Sequence, residues 1–335
     1  MKYLSQSLSM MGVKEDDEGA GTAPSSSSQR KPVPRIQVAR GSDGGASEPL
    51  ARVMSKSNED FELKYELLEE IGKGGFSRVH RCRDRETGAI LAVKVIDLKP
   101  LRLQQRFNPE RLRREVDIMR ELSHPNIIQF VDVFEDNFNL QIVMEYAPGK
   151  ELFDLILARK HYTEEDARPI FAQVTLALQY LHRQNIIHRD VKPENVLILD
   201  RPAHDGSVIT KLLDFGLSKH LNSDAAGAKT FVGTPCYLAP EVEFTSKGKG
   251  GTYGVSADCW SLGAVLHVML VARFPEWEVV GNVPKLRFDK SLWGSVSAEA
   301  VDLITKLMDP NSATRMTTEG VLKHPWMAVY LSKFP

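Results

Sequence analysis

Apolar residues are sparse and isolated over the first 60 positions of the chain. Serine, glycine and proline dominate there, in runs such as TAPSSSS and GSDGGASEP, and neither a strand period nor a helix period persists. Such a segment cannot bury enough apolar surface to offset the entropy lost on ordering. We therefore predict that residues 1–60 form a disordered tail, either a plain lead-in or an arm that is phosphorylated or binds a partner.

Short apolar runs with strand character follow between residues 65 and 145. These runs cover residues 65–71, 78–83, 90–97, 127–134 and 140–145. One helical stretch interrupts them, because apolar residues recur at helical spacing from Leu112 to Leu122 behind the predicted N-cap Asn108. The pattern predicts a β-rich N-lobe, residues 65–145, that contains one regulatory helix.

The pattern becomes mainly helical from residue 148 onward. A helix is predicted to begin at the capping residue Thr163 and to carry an apolar stripe as far as Leu181, with a bend at Pro169. Further helices are predicted over residues 255–272, 297–309 and 317–323. Strands followed by helices indicate a bilobal α+β fold, with a C-lobe over 148–327 and a short C-terminal tail over 328–335.

Composition and charge argue against several classes of protein. The 43 Lys and Arg residues nearly cancel the 44 Asp and Glu residues, so no direct nucleic-acid or membrane partner is indicated. The three cysteines have no paired spacing, which fits a reducing compartment and argues against a disulfide framework. The N-terminus lacks the apolar core of a secretory signal. We therefore expect an intracellular protein, in the cytoplasm, the nucleus or both.

A glycine-rich segment lies between the first two predicted strands. It consists of Gly72, Lys73, Gly74, Gly75, Phe76 and Ser77, with Val79 following in the second strand. Glycines allow the backbone to approach phosphate groups closely and to point N–H groups at them. Taken alone, the segment fits either a phosphate-binding loop or an ordinary glycine-rich hairpin turn.

Lys94 lies near the end of the third predicted strand, 22 residues after Gly72. A lysine in that position can simply keep a strand edge soluble. Beside a phosphate-binding loop it is instead a candidate to bind the α- and β-phosphates of a nucleotide, and Glu115 on the following helix is its candidate carboxylate partner.

The octapeptide HRDVKPEN, residues 188–195, follows an apolar helix and has high specificity for phosphoryl transfer. Asp190 is the candidate base for a substrate hydroxyl, and Lys192 is placed to neutralise a phosphoryl group in transfer. Asn195 and Asp214, the latter in an Asp-Phe-Gly triplet, are the candidate ligands of a metal ion.

Together with the segment GTPCYLAPE, residues 233–241, these motifs resemble the eukaryotic protein kinase superfamily over about 65–327. Ser77, the ELFD run that begins at Glu151 and the terminal His-Pro-Trp resemble the calmodulin-dependent kinase group. The CYLAPEV run and the extended stretch before Asp214 resemble the checkpoint kinase 2 type within that group.

The resemblance implies ATP and Mg²⁺ as cofactors, and proteins with serine or threonine acceptors as substrates. Lys192 is typical of serine/threonine kinases. The resemblance also implies a purine site, with Val79, Ala92 and Leu197 on the two faces of the base, Met144 as gatekeeper, and Glu145 to Ala147 as the hinge.

Regulation and specificity are also implied by the resemblance. Thr230, 11 residues before Glu241, is the expected site of an activating phosphate, with Arg189 and Lys219 as its receiving cations, or it is a loop threonine without a role. The phosphate would come from an upstream kinase or from self-phosphorylation through transient dimers.

The substrate end is predicted from three residues. Glu151 and Glu194 are expected to recognise an arginine in Arg-x-x-Ser/Thr substrates, although Glu151 could equally be a solvated charge at a helix start. Thr234 is expected to shape the site near the catalytic base. Two buried anchors are also predicted: Arg315 as the partner of Glu241, and Asp258 as acceptor of backbone N–H groups from the catalytic loop.

Competing functions each lack a required feature. A pseudokinase scaffold predicts the loss of at least one of Lys94, Asp190, Asn195 and Asp214, and all four are present. A P-loop NTPase requires GxxxxGK[ST], which is absent from the sequence. We expect neither a forkhead-associated domain nor an autoinhibitory helix in this sequence, and we expect the substrate-side helix near residues 274–288 to be abbreviated.

Overall fold

The computed structural model describes residues 57–103, 109–200, 202–203, 207–214, 219–220, 235–242, 253–280 and 283–332. The predicted cap Asn108 and residues 1–56 of the predicted tail therefore lie outside the described residues. The first described helix starts at Asn58, within the stretch predicted as tail.

A five-stranded antiparallel sheet forms the N-lobe. Its strands are β1 (Tyr65–Lys73), β2 (Ser77–Asp84), β3 (Ile90–Asp97), β4 (Phe130–Glu135) and β5 (Asn139–Glu145), in the order β1-β2-β3-β5-β4. The register pairs Val79 with Lys94 across β2 and β3, and Ala92 with Met144 across β3 and β5. The sheet thus brings the glycine turn, the lysine strand and the start of the hinge together.

Helix α1 (Asn58–Lys64) packs against this sheet. Ser57 caps it through a reciprocal capping box with Asp60, which satisfies two otherwise free N–H groups. Phe61 and Tyr65 form an aromatic cluster with Phe134, with ring centroids 5.4–5.8 Å apart. The N-lobe therefore has its own small core on the α1 side of the sheet.

Two helices separate β3 from β4: α2 (Leu98–Arg102) and α3 (Pro109–Glu121). The predicted strand 127–134 begins later than expected, at Phe130. The reason is that Ile127 and Ile128 pair instead with Leu212 of the C-lobe, where the Ile128 N–H donates to the Leu212 carbonyl at 3.0 Å. Residues 127 and 128, which the pattern predicts as strand, thus connect the two lobes.

The described part of the C-lobe is mainly helical. Its helices are α4 (Leu152–Arg159), α5 (Glu164–Arg183), α6 (Ser256–Val271), α7 (Lys290–Trp293), α8 (Ala298–Leu307), α9 (Thr318–Lys323) and α10 (Pro325–Leu331). Short strands are β6 (Gly149–Glu151), β7 (Ile186–Ile187), β8 (Val196–Leu199), β9 (Thr210–Leu212) and β10 (Lys219–His220); β6, β8 and β9 form one sheet. Thr163 accepts the Asp166 N–H as the predicted cap of α5. Helix α10 occupies much of the predicted C-terminal tail.

The stretch near residues 274–288 folds as a hairpin of β11 (Trp277–Val280) and β12 (Val283–Leu286). The abbreviated helix expected there is therefore replaced by two antiparallel strands. Trp277 stacks on Trp260 of α6 with ring centroids 5.3 Å apart, so a flat aromatic contact fixes the hairpin base.

Glu164 connects the C-terminal end of the chain to the C-lobe core. Its carboxylate accepts the Trp326 indole N–H at 2.6 Å, the Ser297 hydroxyl at 2.7 Å and the Ser297 N–H at 2.7 Å. Burial alone would raise the pKa of Glu164, but these bonds outweigh it and hold the pKa below its usual range. Among the described residues, no helix combines the length and the apolar character that crossing a bilayer requires.

His267 gives a testable pH dependence of stability. Burial lowers its pKa to about 4, from an ordinary value near 6.5, because its ring lies against Trp293 and donates only to the Arg273 carbonyl. Between about pH 4 and 6.5, His267 is therefore protonated in the unfolded chain and neutral in the folded chain. The free energy of unfolding should fall as the pH drops from about 6.5 to 4, by about 3 kcal/mol.

Chemical denaturation of wild type and His267→Phe between pH 7.5 and 4.5 measures this effect. The variant should lose part of the slope in that window, whereas His161→Gln, at an exposed histidine, should keep it. Equal slopes in wild type and His267→Phe would contradict the assignment.

Candidate active site

The turn between β1 and β2 leaves open space at Gly75, whereas a Cβ at Gly74 would lie 2.8 Å from the Ser77 hydroxyl. The Gly74 N–H donates to the Ser77 carbonyl at 2.7 Å and closes the turn. A Cβ added at Gly75 would meet nothing within 4 Å, so packing within the protein does not require glycine there. This open space would allow a ligand such as a phosphate group to approach the bare backbone of the turn.

Lys94 lies on the face of β3 that also carries Ala92, because side chains two apart on a strand share a face. Its ammonium forms an ion pair with the Asp214 carboxylate. Enclosure by protein alone would raise the pKa of Asp214, but the charge and hydrogen bond of Lys94 outweigh it and the pKa lies below its usual range. Glu115 lies on α3, and its side chain is outside the described residues.

The residues predicted to surround a purine lie on facing elements of the two lobes. Val79, Ala92 and Met144 lie in the N-lobe sheet, Ala147 follows β5, and Leu197 lies on β8 of the C-lobe. Ala92 is buried, and the others are partly buried. The arrangement leaves apolar side chains available from both lobes.

The catalytic-loop residues contact one another directly. The Asn195 amide donates to the Asp190 carbonyl at 2.7 Å and to its carboxylate at 2.9 Å. The Lys192 ammonium lies 2.9 Å from the same carboxylate. Two residues predicted to act with Asp190 are thus held around its carboxylate, and the Asp190 side chain is only 12% exposed.

Asp258, in the first turn of α6, anchors this loop. It is buried and accepts the N–H groups of His188 and Arg189, each at 2.9 Å, as well as a hydrogen bond from His182 at 2.9 Å. Burial would raise the pKa of Asp258, but these donors outweigh it and hold the pKa low. The prediction that Asp258 receives loop N–H groups is confirmed.

Glu241 and Arg315 form the other predicted anchor. The guanidinium makes two parallel bonds to the carboxylate, at 2.6 and 2.9 Å, and its side chain is fully buried. Arg315 also donates to the Ser256 carbonyl at 3.0 Å. The predicted pairing is therefore confirmed, and it ties the end of the segment 214–241 to the start of α6.

Comparison with known proteins now gives the family. The family described as protein kinase domain matches residues 65–327, which is more than half of the chain. The chain belongs to the protein kinase family. The matched region is a serine/threonine protein kinase domain, as the names of its relatives also indicate.

Three relatives place this kinase domain more closely. The probable serine/threonine-protein kinase fhkE of Dictyostelium discoideum is 40% identical over 78% of the chain and 38% of its own length. Calcium-dependent protein kinase 8 of Oryza sativa is 39% identical over 80% of the chain and 49% of its own length. Calcium-dependent protein kinase 7 of Arabidopsis thaliana is 36% identical over 84% and 52%. The chain thus spans about a third to a half of these relatives.

Acidic groups cluster at the far side of the kinase catalytic loop. Burial and the nearby charges of Asp154 and Glu194 raise the pKa of Glu151. One carboxylate oxygen of Glu194 and the hydroxyl of Tyr237 are both buried without a hydrogen-bond partner. Tyr237 also has a raised pKa, through burial and then the charge of Glu194. The sequence alone assigns Tyr237 no role, although its position within the motif GTPCYLAPE indicates that it lies near the substrate site.

Several predicted residues of the kinase cannot be placed fully. Thr230 and Thr234 lie outside the described residues, and of Lys219 only the backbone of β10 is described. Arg189 is buried and has a φ of 74°, a left-handed backbone conformation that few residues other than glycine adopt. The predicted contact between Thr230 and these cations stays a prediction.

Lys211 is a residue that sequence reasoning missed. Its ammonium lies 2.5 Å from the Glu145 carboxylate, so a β9 cation binds the predicted hinge. The sequence offered no signal, because a lysine on a short strand is usually a solvated charge.

The described residues of the kinase cleft could hold Mg²⁺ only if phosphate groups or water completed its coordination shell. The described residues contain no group of three or more acidic, histidine or cysteine side chains placed to bind a metal. The backbones that carry Asn195 and Asp214 are nevertheless neighbours, since the N–H of Leu213, directly before Asp214, donates to the Asn195 carbonyl at 2.8 Å. Mg²⁺ commonly takes one or two protein ligands and completes its shell with substrate phosphates and water.

Proposed function

We propose that the domain transfers the γ-phosphoryl group of ATP to serine and threonine hydroxyls of proteins. The observation that carries this is the contact set around Asp190, whose carboxylate is bound by both Asn195 and Lys192. A substrate hydroxyl needs a fixed acceptor for its proton, and a fixed carboxylate beside a cation provides one.

Each nearby residue has a distinct proposed role. Lys94 binds the α- and β-phosphates, with Glu115 as its helix partner, and the backbone of residues 72–77 covers them. Asn195 and Asp214 would hold Mg²⁺, which neutralises charge that develops on the phosphates. Lys192 stabilises the group in transfer, and Asp190 orients the hydroxyl.

A pseudokinase scaffold is the alternative from another class. It requires a broken phosphoryl-transfer set, whereas Lys94 is paired with Asp214 and Asp190 with Asn195 and Lys192. These contacts support the enzyme and give no support to the scaffold.

Asp190→Ala tests the reaction. The variant should lose roughly 10²–10⁴-fold in kcat on a serine/threonine peptide array, because the hydroxyl loses its proton acceptor. Phosphate incorporation from ATP and Mg²⁺ is the measurement. Asp200→Ala, at an exposed aspartate after β8, is the control and should keep full activity. Equal activity of Asp190→Ala and wild type, or an inactive wild type, would overturn the proposal.

We further propose that phosphorylation of Thr230 activates the domain. The support is its position 11 residues before Glu241 and the buried Arg189, whose N–H is bound by Asp258 in the catalytic loop. A phosphate paired with Arg189 and Lys219 would link segment and loop through charge-assisted bonds.

Thr230→Ala should lower peptide phosphorylation at least tenfold, whereas Thr230→Ser should retain most of it because the hydroxyl is kept. Mass spectrometry of wild type and Asp190→Ala after incubation with ATP reports whether the phosphate comes from the chain itself. Self-phosphorylation through transient dimers predicts that the phosphate appears only on active protein. Full activity of Thr230→Ala rejects the proposal.

The acidic cluster supports a preference for Arg-x-x-Ser/Thr substrates. Burial first, and then the repulsion from the negative charges of Asp154 and Glu194, raise the pKa of Glu151. A guanidinium placed between Glu151 and Glu194 would relieve that repulsion and occupy the unpartnered oxygen of Glu194.

Glu151→Gln and Glu194→Gln should each raise KM about tenfold for a peptide with arginine three residues before the acceptor. KM for the matching peptide with alanine there should change less than about twofold, because the removed charge has no partner. Glu299→Gln, at an exposed glutamate of α8, is the control. Equal effects on both peptides would contradict the arginine site.

The finer placement of the chain is also a proposal. The CYLAPEV run and the extended stretch before Asp214 support the checkpoint kinase 2 type, and the unpaired cysteines support an intracellular location. A kinase-domain tree that groups the chain with calcium-dependent kinases instead would contradict the first, and a tagged protein found outside the cell would contradict the second.

A further inference from the structure

An ion pair closes the back of the cleft at the hinge. Glu145 is the last residue of β5 in the N-lobe, and Lys211 is the middle residue of β9 in the C-lobe. Their ammonium and carboxylate are 2.5 Å apart, and the side chains are only 13% and 27% exposed. The contact therefore links the two lobes directly beside residues 146–148.

Both members of the pair are held from a second side. The carboxylate oxygen that contacts Lys211 also accepts the Gln129 N–H at 3.0 Å, and the Glu145 N–H donates to the Gln129 carbonyl at 2.9 Å. The Leu212 N–H beside Lys211 donates to the Asn126 carbonyl at 2.8 Å. The pair therefore joins two fixed backbones.

Strand β9 connects this pair to the candidate nucleotide site. Lys211 is paired in register with Leu197, the predicted apolar floor under a purine. Three residues after Lys211 the chain reaches Asp214, the candidate metal ligand. A shift of β9 relative to the hinge would thus move the floor of the purine site and the metal ligand together.

We propose that Lys211 is a positioning residue, which binds Glu145 to fix the lobe closure at which adenine nucleotides are held. This rests on the proposed ATP site. A partly buried pair loses its compensation when one partner is removed, because the remaining charge stays desolvated. Its loss allows the hinge to separate from β9 and weakens nucleotide binding, while the residues around Asp190 keep their contacts.

A double-mutant cycle tests the proposal. ADP binding in the presence of Mg²⁺ is measured by titration calorimetry for wild type, Lys211→Met, Glu145→Gln and the double variant. Each single variant should bind ADP roughly 5- to 30-fold more weakly, as expected for a coupling of about 1–2 kcal/mol. The double variant should be no weaker than the weaker single variant, and Lys211→Arg should retain most of the affinity.

Two readouts separate positioning from general stability. At saturating ATP, kcat on a peptide should fall by less than the loss of ADP affinity, and KM for the peptide should be unchanged. Lys323→Met, which breaks the exposed Lys323–Glu319 pair of α9, is the control and should bind ADP as wild type does.

Three outcomes decide the matter. Unchanged ADP affinity in Lys211→Met, with or without a lower melting temperature, overturns the proposal that Lys211 is a positioning residue. Losses that multiply in the double variant also overturn it, because they show that the two residues act independently. If the wild type binds no ADP, the proposed nucleotide site itself is rejected. That outcome differs from failure of the Lys211 proposal alone, in which the wild type still binds ADP.

Discussion

A buried carboxylate, that of Asp258, fixes the geometry on which the rest of the site depends. Removing this charge from water is costly, and three donors from the catalytic loop and α5 offset the cost. Two of the donors are the consecutive N–H groups of His188 and Arg189, so the anchor orients the peptide backbone directly before Asp190. This explains how Arg189 is held at a φ of 74°, which costs conformational energy that its surroundings must offset.

The first turn of α6 is a common reference for two segments that are distant in sequence. Asp258 holds the catalytic loop there, and the Ser256 carbonyl accepts from Arg315, whose guanidinium binds Glu241. The loop that carries Asp190 and the end of the segment that begins at Asp214 are therefore positioned against one rigid helix. A helix buried on all sides suits this role, because it can move only if the lobe core is repacked.

The main helices and the two buried anchors could be predicted from the sequence. The short stretches whose structure depends on tertiary pairing could not. Asp258 could be predicted as an acceptor because it lies at a predicted helix start, and Arg315 because Glu241 needs a buried cationic partner. The helices at 256–271, 298–307 and 318–323 were predicted to within about two residues of their bounds. The hairpin at 277–286 and the late start of β4 were not, because tertiary pairing decides the structure of such short stretches. Lys211 carried no signal, since only the fold brings it to Glu145.

The cleft balances its charges in pairs before any ligand arrives. Lys94 and Asp214 neutralise one another, as do Lys192 and Asp190 at the other end. A nucleotide with Mg²⁺ carries the matching charges, since phosphates would replace Asp214 at Lys94 and the metal would replace Lys94 at Asp214. In the proposed site, binding would then exchange one set of ion pairs for another and leave no charge without a partner. What remains for the protein to control is the distance between the lobes that carry these groups, and that distance is what the contact between Glu145 and Lys211 restricts.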